Sequence, residues 1–446
     1  MRVLQALGWY YPENVGGTEK YVATLSRLLK DAGNEVVIAA PLAGALEPRV
    51  YIHEGLTVFR YPIPSAPSRD EAQSRVPARG SEQFREWLTE LKPDIAHFHS
   101  IVTGLGLHEM RAAREIGARV IFTSHASSLG YICQRGTLMR LGAFPCDGLT
   151  EIVKCSVCEL QHRGLPRAMG EILAREPVEL SRILGVIDNS VGTALGMPDL
   201  IARNRKSQQE MLEIVEAFVV LTQSAAAIAR RNGAPESKLF VNELGITACP
   251  GVRKPGPEMQ PTSPPVRLGY LGRFDLVKGV VELARALRAL PSSTDFVFEF
   301  RGPVSGDPDR AVLEELRRIC EGDSRIRFAP GVAPAEVFTV LEGYDALVCP
   351  SICAEGGPTV AIEAQSVGTP VVGTRIGGLA ELVDDGVNGS LVPAGDVEAL
   401  SAMLLRIVKS PGETIDRWRR ALPAPRTMAE VAGDYAGIYA ERVAGR

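Results

Sequence analysis

Pro350-Ser351-Ile352-Cys353-Ala354-Glu355-Gly356-Gly357-Pro358-Thr359-Val360-Ala361-Ile362-Glu363-Ala364 joins the end of an apolar, strand-like run to the start of a helix. Gly356, Gly357 and Pro358 suit a tight turn, because glycine tolerates backbone angles closed to other residues and proline fits the first helical position. Val360, Ala361 and Ala364 then give the helix an apolar face. Glu355 therefore falls in a loop at the carboxyl end of a strand. That is where open α/β sheets bind ligands, beside the unpaired N–H groups of a helix start. Glu363, one to two turns into the helix, points back toward the same crevice. Carboxylates accept paired hydrogen bonds from vicinal hydroxyls, the groups that sugars and ribose present. Two glutamates at this spacing are more often simply exposed; the glycine-proline turn between them shifts the balance toward a site.

Leu268-Gly269-Tyr270-Leu271-Gly272-Arg273-Phe274-Asp275-Leu276-Val277-Lys278-Gly279 repeats the strand-turn-helix pattern, with Arg273 leaving the strand and Lys278 opening a helix from Lys278 to Leu290. Two fixed cations beside a helix start form a site for a diphosphate, Arg binding two oxygens at once and Lys acting as a point charge. Near the N-terminus, Asn14-Val15-Gly16-Gly17-Thr18-Glu19 precedes a helix with Val22, Leu25, Leu28 and Leu29 on one side. The adjacent glycines let backbone approach a phosphate or sugar closely. Gly8 is followed by Trp9, Tyr10 and Tyr11, so the loop lacks the G-x-G-x-x-G spacing of dinucleotide binding.

These motifs sit in a chain of 446 residues, long enough for two or three domains. Apolar residues make up 45% and charged residues 23%, and the net charge is −4 without a block of one sign. Neither a nucleic-acid surface nor a polybasic membrane tether is suggested. No run reaches the 18 or so apolar residues of a membrane span and no signal-peptide core is visible, so a cytoplasmic compartment is expected. Short β-branched runs alternate with helical patterns in two series. Strands are expected over 35–40, 94–100, 119–125 and 218–222, then over 266–271, 295–300, 346–349 and 370–373. Pro250, Pro255, Pro257, Pro261, Pro264 and Pro265 mark a linker between the series. A last helix, 427–446, carries Val431, Tyr435, Ile438 and Tyr439 at helical spacing. Residues 127–206 fit the alternation poorly and read as an insertion. The helix Glu82 to Leu91, with Phe84, Trp87, Leu88 and Leu91 on one side, is read as core packing, with peripheral membrane contact left open.

Gly16-Gly17, the Gly272-Arg273…Lys278-Gly279 turn and the Glu355 to Glu363 spacing together resemble the retaining, nucleotide-sugar-dependent glycosyltransferases of family 4. Gly368-Thr369-Pro370-Val371-Val372-Gly373, Gly377-Gly378, Asp385-Gly386-Val387-Asn388-Gly389 and Pro393-Ala394-Gly395-Asp396 extend the resemblance over nearly the whole second half. It implies the GT-B architecture: two Rossmann-like parallel-sheet domains facing a cleft, with the C-terminal helix crossing back to the first domain. The expected boundaries are 1–250 plus 427–446 for the acceptor side and 266–426 for the donor side. The resemblance implies a UDP- or GDP-sugar donor and a hydroxyl acceptor on a glycan, a lipid-linked sugar or a small molecule. Arg273 and Lys278 would hold the pyrophosphate, Glu363 the ribose, and Glu355 the donor sugar, with Gly357, Pro358 and Thr359 in the same donor loop. Gly16 and Gly17 would close over the phosphates. His125, ending Phe122-Thr123-Ser124-His125, matches the active-site histidine of the family, while His97 and His99 read as strand-end packing. The chemistry implied is metal-independent, and no Asp-x-Asp clamp is evident near these loops. Gly357, where many relatives carry a larger residue, and Asn242-Glu243-Leu244-Gly245-Ile246 depart from the family pattern.

Cys133, Cys146, Cys155 and Cys158 are spaced C-x12-C-x8-C-x2-C and are candidate ligands of a structural zinc. Free buried thiols, a disulfide and an iron–sulfur cluster are the alternatives. Cys249, Cys320, Cys349 and Cys353 are dispersed and read as packing residues. Two functional alternatives remain at this level: a nucleotide-sugar epimerase or hydrolase, and a non-catalytic sugar-nucleotide-binding protein, which would have no need of Glu355.

Overall fold

The computed structural model describes residues 1–13, 16–247 and 262–445. Asn14, Val15, Cys249 and the linker prolines Pro250, Pro255, Pro257 and Pro261 lie outside the described residues. The chain divides into two compact units, one of Met1–Glu243 with Met428–Arg446 and one of Leu244–Thr427.

The first unit is built on β1 (Arg2–Ala6), β2 (Glu35–Ala43), β3 (Arg49–His53), β4 (Leu56–Ile63), β5 (Ile95–Phe98) and β6 (Arg119–Ser124). A short hairpin of β7 (Met139–Arg140) and β8 (Phe144–Pro145) follows, then β9 (Ala217–Val220) and β10 (Leu239–Val241). Its eight-stranded sheet runs β10-β9-β6-β5-β1-β2-β4-β3. Every pairing is parallel except β3 with β4, an edge hairpin that the alternation of the sequence did not announce. The interior strands are buried almost end to end and mainly apolar, as strands covered on both faces are, with Gln5, His97 and Thr123 as buried polar exceptions.

Because β6 pairs directly with β9, residues 125–216 form one long crossover. This revises the reading of 127–206 as an insertion of uncertain structure. The segment is largely helical and ends in the helix Met197–Ile214, which supplies the crossover that a parallel pair requires. Leu160, Ala194, Met197, Leu200 and Ile201 give it a small core of its own. The last helix, Met428–Ala444, packs in the first unit, burying Val431, Tyr435, Ile438 and Tyr439. The Asn242 side chain donates to the carbonyl of Val431 at 3.3 Å, tying the end of the first run of chain to the returning helix.

The second unit carries β11 (Val266–Leu271), β12 (Phe296–Gly302), β13 (Ile326–Pro330), β14 (Ala346–Cys349), β15 (Val371–Thr374) and β16 (Gly389–Val392). They form an all-parallel sheet ordered β13-β12-β11-β14-β15-β16. Apolar clusters cover both faces, one around Phe298, Leu283 and Trp418, the other around Leu347, Ala361 and Leu379. Strand order reverses between β11 and β14 here, and between β1 and β5 in the first unit. Loops leaving the carboxyl ends of such neighbours diverge to opposite faces and open a crevice, so each sheet has a defined place for a ligand.

The helix Glu82–Leu91 turns its apolar side inward: Phe84 and Leu88 are fully buried, and Trp87 stacks on Phe59 with ring centroids 4.3 Å apart. Its aromatic stripe is core, not a lipid face. Phe84→Ala is expected to cost about 3–5 kcal/mol, whereas Glu86→Ala on the outer side should stay within about 0.5 kcal/mol. Urea unfolding of the two variants measures this, and equal small costs would contradict the packing.

Candidate functional site

In the second unit the loops after β11 and β14 meet. Lys278 Nζ lies 2.5 Å from Glu355 Oε2, joining the two motifs read from the sequence into one ion pair. Both side chains are largely buried, with 24% and 15% of their surface exposed. Ser351 Oγ donates to the other carboxylate oxygen, Glu355 Oε1. Sequence reading missed Ser351 as a functional residue, although its place two residues past β14 put it beside Glu355.

The backbone here is built by close approach. Lys278 does not open the α-helix, as its position in the sequence suggested; it closes a 3-10 turn, Leu276–Lys278, capped by the Asp275 side chain on the Val277 N–H at 3.1 Å. Gly279 then adopts φ +69° and the helix runs over Val280–Arg288. A Cβ on Gly279 would stand 1.9 Å from the Pro350 carbonyl oxygen, so only glycine lets the β11 loop press on the β14 loop. The Ile352 N–H bonds the Val277 carbonyl at 2.9 Å across that contact. From the next strand, the Gly378 N–H bonds the Glu355 carbonyl at 2.8 Å, and Gly377, at φ +56°, has room for no Cβ beside that same backbone. The glycine pair after β15 thus holds Glu355 in place. Thr374 Oγ1 donates to the Ser351 carbonyl at 2.6 Å and completes the clamp.

Arg273 and Glu363 line one cavity of about 640 Å³, together with Gly272, Gly302, Pro303 and Val360. Glu363 is buried on the helix Thr359–Ser366, and Arg273 is mostly exposed, its Nη2 3.8 Å from Asp275 Oδ2. The volume falls in the range of small-molecule sites. Pro358 stands just before that helix and Thr359 is its first residue, four positions after Glu355. Gly357 has φ +153°, a backbone conformation that favours glycine, and a Cβ there would meet Leu244 Cδ1 at 2.5 Å.

In the first unit, Gly16 caps the helix Gly17–Asp31. Tyr21 of that helix packs edge-on against His125, ring centroids 4.8 Å apart. His125 is the residue after β6, and burial pushes it down to about 4, so the ring is neutral near pH 7. His97, read as packing, is buried and has both ring nitrogens in hydrogen bonds, to Tyr439 Oη at 2.6 Å and Thr123 Oγ1 at 2.7 Å. His99 is more than packing: its Nδ1 lies 3.0 Å from His125 Nε2. The signal for it was the two-residue period of a strand, which puts residues 97 and 99 on one face, as it does 123 and 125.

The four clustered cysteines, none in a disulfide, line one small cavity of about 30 Å³, room for about a single water. The Leu141 N–H reaches Cys158 Sγ at 3.2 Å and the Gly148 N–H reaches Cys146 Sγ at 3.4 Å. Burial pushes the Cys155 thiol up to about 11. Among the described residues no three His, Cys, Asp or Glu side chains gather as a metal ion requires. Cys320, Cys349 and Cys353 are buried packing residues.

The chain matches the family model "Glycosyl transferases group 1" over residues 260–423 and "Glycosyltransferase Family 4" over residues 15–144. It belongs to the family 4 glycosyltransferases. Among curated proteins it is 32% identical over 177 residues to a D-inositol 3-phosphate glycosyltransferase of Corynebacterium urealyticum, covering 39% of each chain. It is 26% identical over 250 residues to a putative colanic acid biosynthesis glycosyltransferase, WcaL, of Salmonella typhimurium, covering 53% of this chain and 59% of that one. The chain spans roughly two-fifths to three-fifths of the length of these relatives. Among solved structures, sucrose-phosphate synthase from Thermosynechococcus elongatus aligns over 100% of both chains with a TM-score of 0.66 at 16% identity. The Anabaena HepE protein in complex with UDP-glucose aligns over 99% of this chain and 100% of that one, with a TM-score of 0.62 at 13% identity. These likenesses show the two-domain GT-B fold.

Gly279→Ala should lower the stability of the second unit by about 2 kcal/mol or more, through strain at positive φ plus collision with Pro350. Gly322→Ala, at φ +78° with nothing within 4 Å of the new Cβ, carries the strain alone and should cost about 1 kcal/mol. Thermal melts of the pair separate the two effects; equal losses would contradict the close approach.

Proposed function

We propose that this chain is a retaining glycosyltransferase that moves a sugar from a UDP- or GDP-sugar to a hydroxyl acceptor without a catalytic metal. The observation that carries the reading is the Lys278–Glu355 pair at the strand-order reversal of the second sheet, together with the cavity that Arg273 and Glu363 line in the same unit. The likeness to a UDP-glucose-bound protein and to a D-inositol 3-phosphate glycosyltransferase supports a nucleotide-sugar donor and a hydroxyl-bearing acceptor.

Each role follows from charge and shape. Breaking the anomeric C–O bond develops positive charge on the sugar ring and negative charge on the departing diphosphate. Arg273 and Lys278 offset the second charge without a metal, Arg through its fork of donors and Lys as a point charge. Glu363, buried at the cavity wall, accepts from ribose hydroxyls, and Glu355 accepts from hydroxyls of the donor sugar. Lys278 contacts Glu355 directly, so one cation spans the junction of diphosphate and sugar. Gly16 and Gly17 lie at the start of a helix whose free N–H groups suit the phosphates. The acceptor hydroxyl attacks from the face of the leaving group, its proton passing to the departing phosphate, and the anomeric configuration is retained.

A nucleotide-sugar epimerase or hydrolase would turn over donor alone, and a non-catalytic binding protein would hold nucleotide without needing Glu355. Glu355→Gln is expected to lower kcat by about 100-fold or more, with UDP or GDP affinity little changed. Lys278→Ala should weaken diphosphate binding by about 10–100-fold, the worth of one charge-assisted hydrogen bond. Transfer should persist in excess EDTA. Undiminished transfer by the Glu355 variant would sink its assigned role, and rapid loss of donor without acceptor would favour hydrolysis.

A further inference from the structure

The first unit holds a buried hydrogen-bond chain that runs from the last helix to His125, and on its branch from Gln5 to His125 the protons can be placed one at a time. Gln5, fully buried on β1, supplies the starting point, because an amide oxygen only accepts and an amide nitrogen only donates. Gln5 Oε1 lies 2.6 Å from His99 Nε2, so that nitrogen carries a hydrogen. In a neutral imidazole the other nitrogen is then bare. His99 Nδ1 faces His125 Nε2 at 3.0 Å, so His125 Nε2 is the donor and His125 Nδ1 keeps its lone pair.

The other side of Gln5 continues through hydroxyls. Gln5 Nε2 donates to Tyr439 Oη at 3.3 Å, and that oxygen lies 2.6 Å from His97 Nδ1. His97 Nε2 lies 2.7 Å from Thr123 Oγ1, which lies 2.9 Å from Tyr435 Oη; hydroxyls both donate and accept, so this branch supports Gln5 without setting the His125 tautomer. Turning the Gln5 amide over would reverse the direction of the branch toward His125 and move the His125 hydrogen onto Nδ1. The tautomer of a partly exposed residue therefore rests on one buried amide. Burial keeps the rings uncharged: His97 and His99 are pushed well below the ordinary histidine range and His125 to about 4. A charged ring would break the sequence of donors and acceptors.

We propose that Gln5 and His99 are positioning residues that place the His125 proton on Nε2 and hold Nδ1 as a fixed hydrogen-bond acceptor for a hydroxyl of the substrate. The placement of the proton stands on the first unit alone; its use toward a hydroxyl rests on the glycosyltransferase reading. A site arranged to accept from a hydroxyl discriminates strongly against an analogue lacking it, since the acceptor is then left unpaired. The same chain makes Tyr439 of the last helix part of the support of His125, although the two residues are 314 positions apart in the sequence.

Nitrogen-15 NMR of the full chain labelled at histidine tests the placement without substrate, with the His125→Gln spectrum identifying the His125 ring. The expected result is a protonated Nε2 and a bare Nδ1 on His125 near pH 7. A protonated Nδ1, or a rapidly exchanging mixture, would overturn it. Gln5→Met and His99→Phe should each turn His125 into a tautomer mixture and lower kcat/KM by about 10–100-fold, the usual worth of partners that orient a functional histidine. Should those variants fail to fold, the wild-type spectrum still decides the placement. A His125 tautomer unchanged in folded variants would show that Gln5 and His99 only pack. Correct placement with no transfer from any nucleotide sugar would fault the glycosyltransferase reading and leave the proton order standing.

Discussion

Two strand-end loops of the second sheet are pressed together so closely that a lysine from one and a glutamate from the other share a hydrogen-bonded ion pair. Such a pair is a poor source of stability, because the cost of taking both charges out of water offsets most of their attraction. Its surroundings nevertheless hold it from three sides: Gly279 admits the approach, Ser351 occupies the second carboxylate oxygen, and the Gly378 N–H fixes the Glu355 backbone. A polar pair that contributes little to folding yet is this well supported is suited to binding, since side chains already in place lose little freedom when a ligand arrives.

The position of that pair follows from sheet topology. In a parallel sheet every loop that can carry function leaves the same edge, and only where the strand order reverses do neighbouring loops part to leave room. The second unit reverses between β11 and β14 and the first between β1 and β5. Lys278 and Glu355 follow the first two of these strands, while Gly16 and His99 follow the other two. One rule thus places the Lys278–Glu355 pair, and also the histidine chain, each within its own unit. Tyr435 and Tyr439 enter that chain from the last helix, so the far end of the polypeptide is needed to finish a site begun at Gln5.

Four strands of the second sheet were legible as apolar-rich runs, with β11, β12, β14 and β15 lying close to where the alternation placed them; β13, with its alternating Arg327, and the short β16 were not read. Glu355 was legible as well, sitting in a turn that announces itself. What sequence spacing could not convey was contact between loops. Gly279 looked like part of a helix, and its collision with Pro350 exists only once β11 and β14 are neighbours. His99 looked like packing because its partners, Gln5 and His125, come from two other strands. The long crossover from β6 to β9 was read as an insertion because its short helices hide the pairing it connects. The β3–β4 hairpin was missed because the sheet edge escapes the βα rhythm.

Hydrogen–deuterium exchange of the full chain with and without UDP-glucose or a GDP-sugar tests most directly whether the Lys278–Glu355 pair is the heart of a ligand site. Protection on addition of nucleotide sugar should concentrate in residues 271–280 and 350–364, with smaller changes in the remainder of the second unit. Saturating nucleotide sugar that protects other segments and leaves these two unchanged would contradict the assignment of the pair to donor binding.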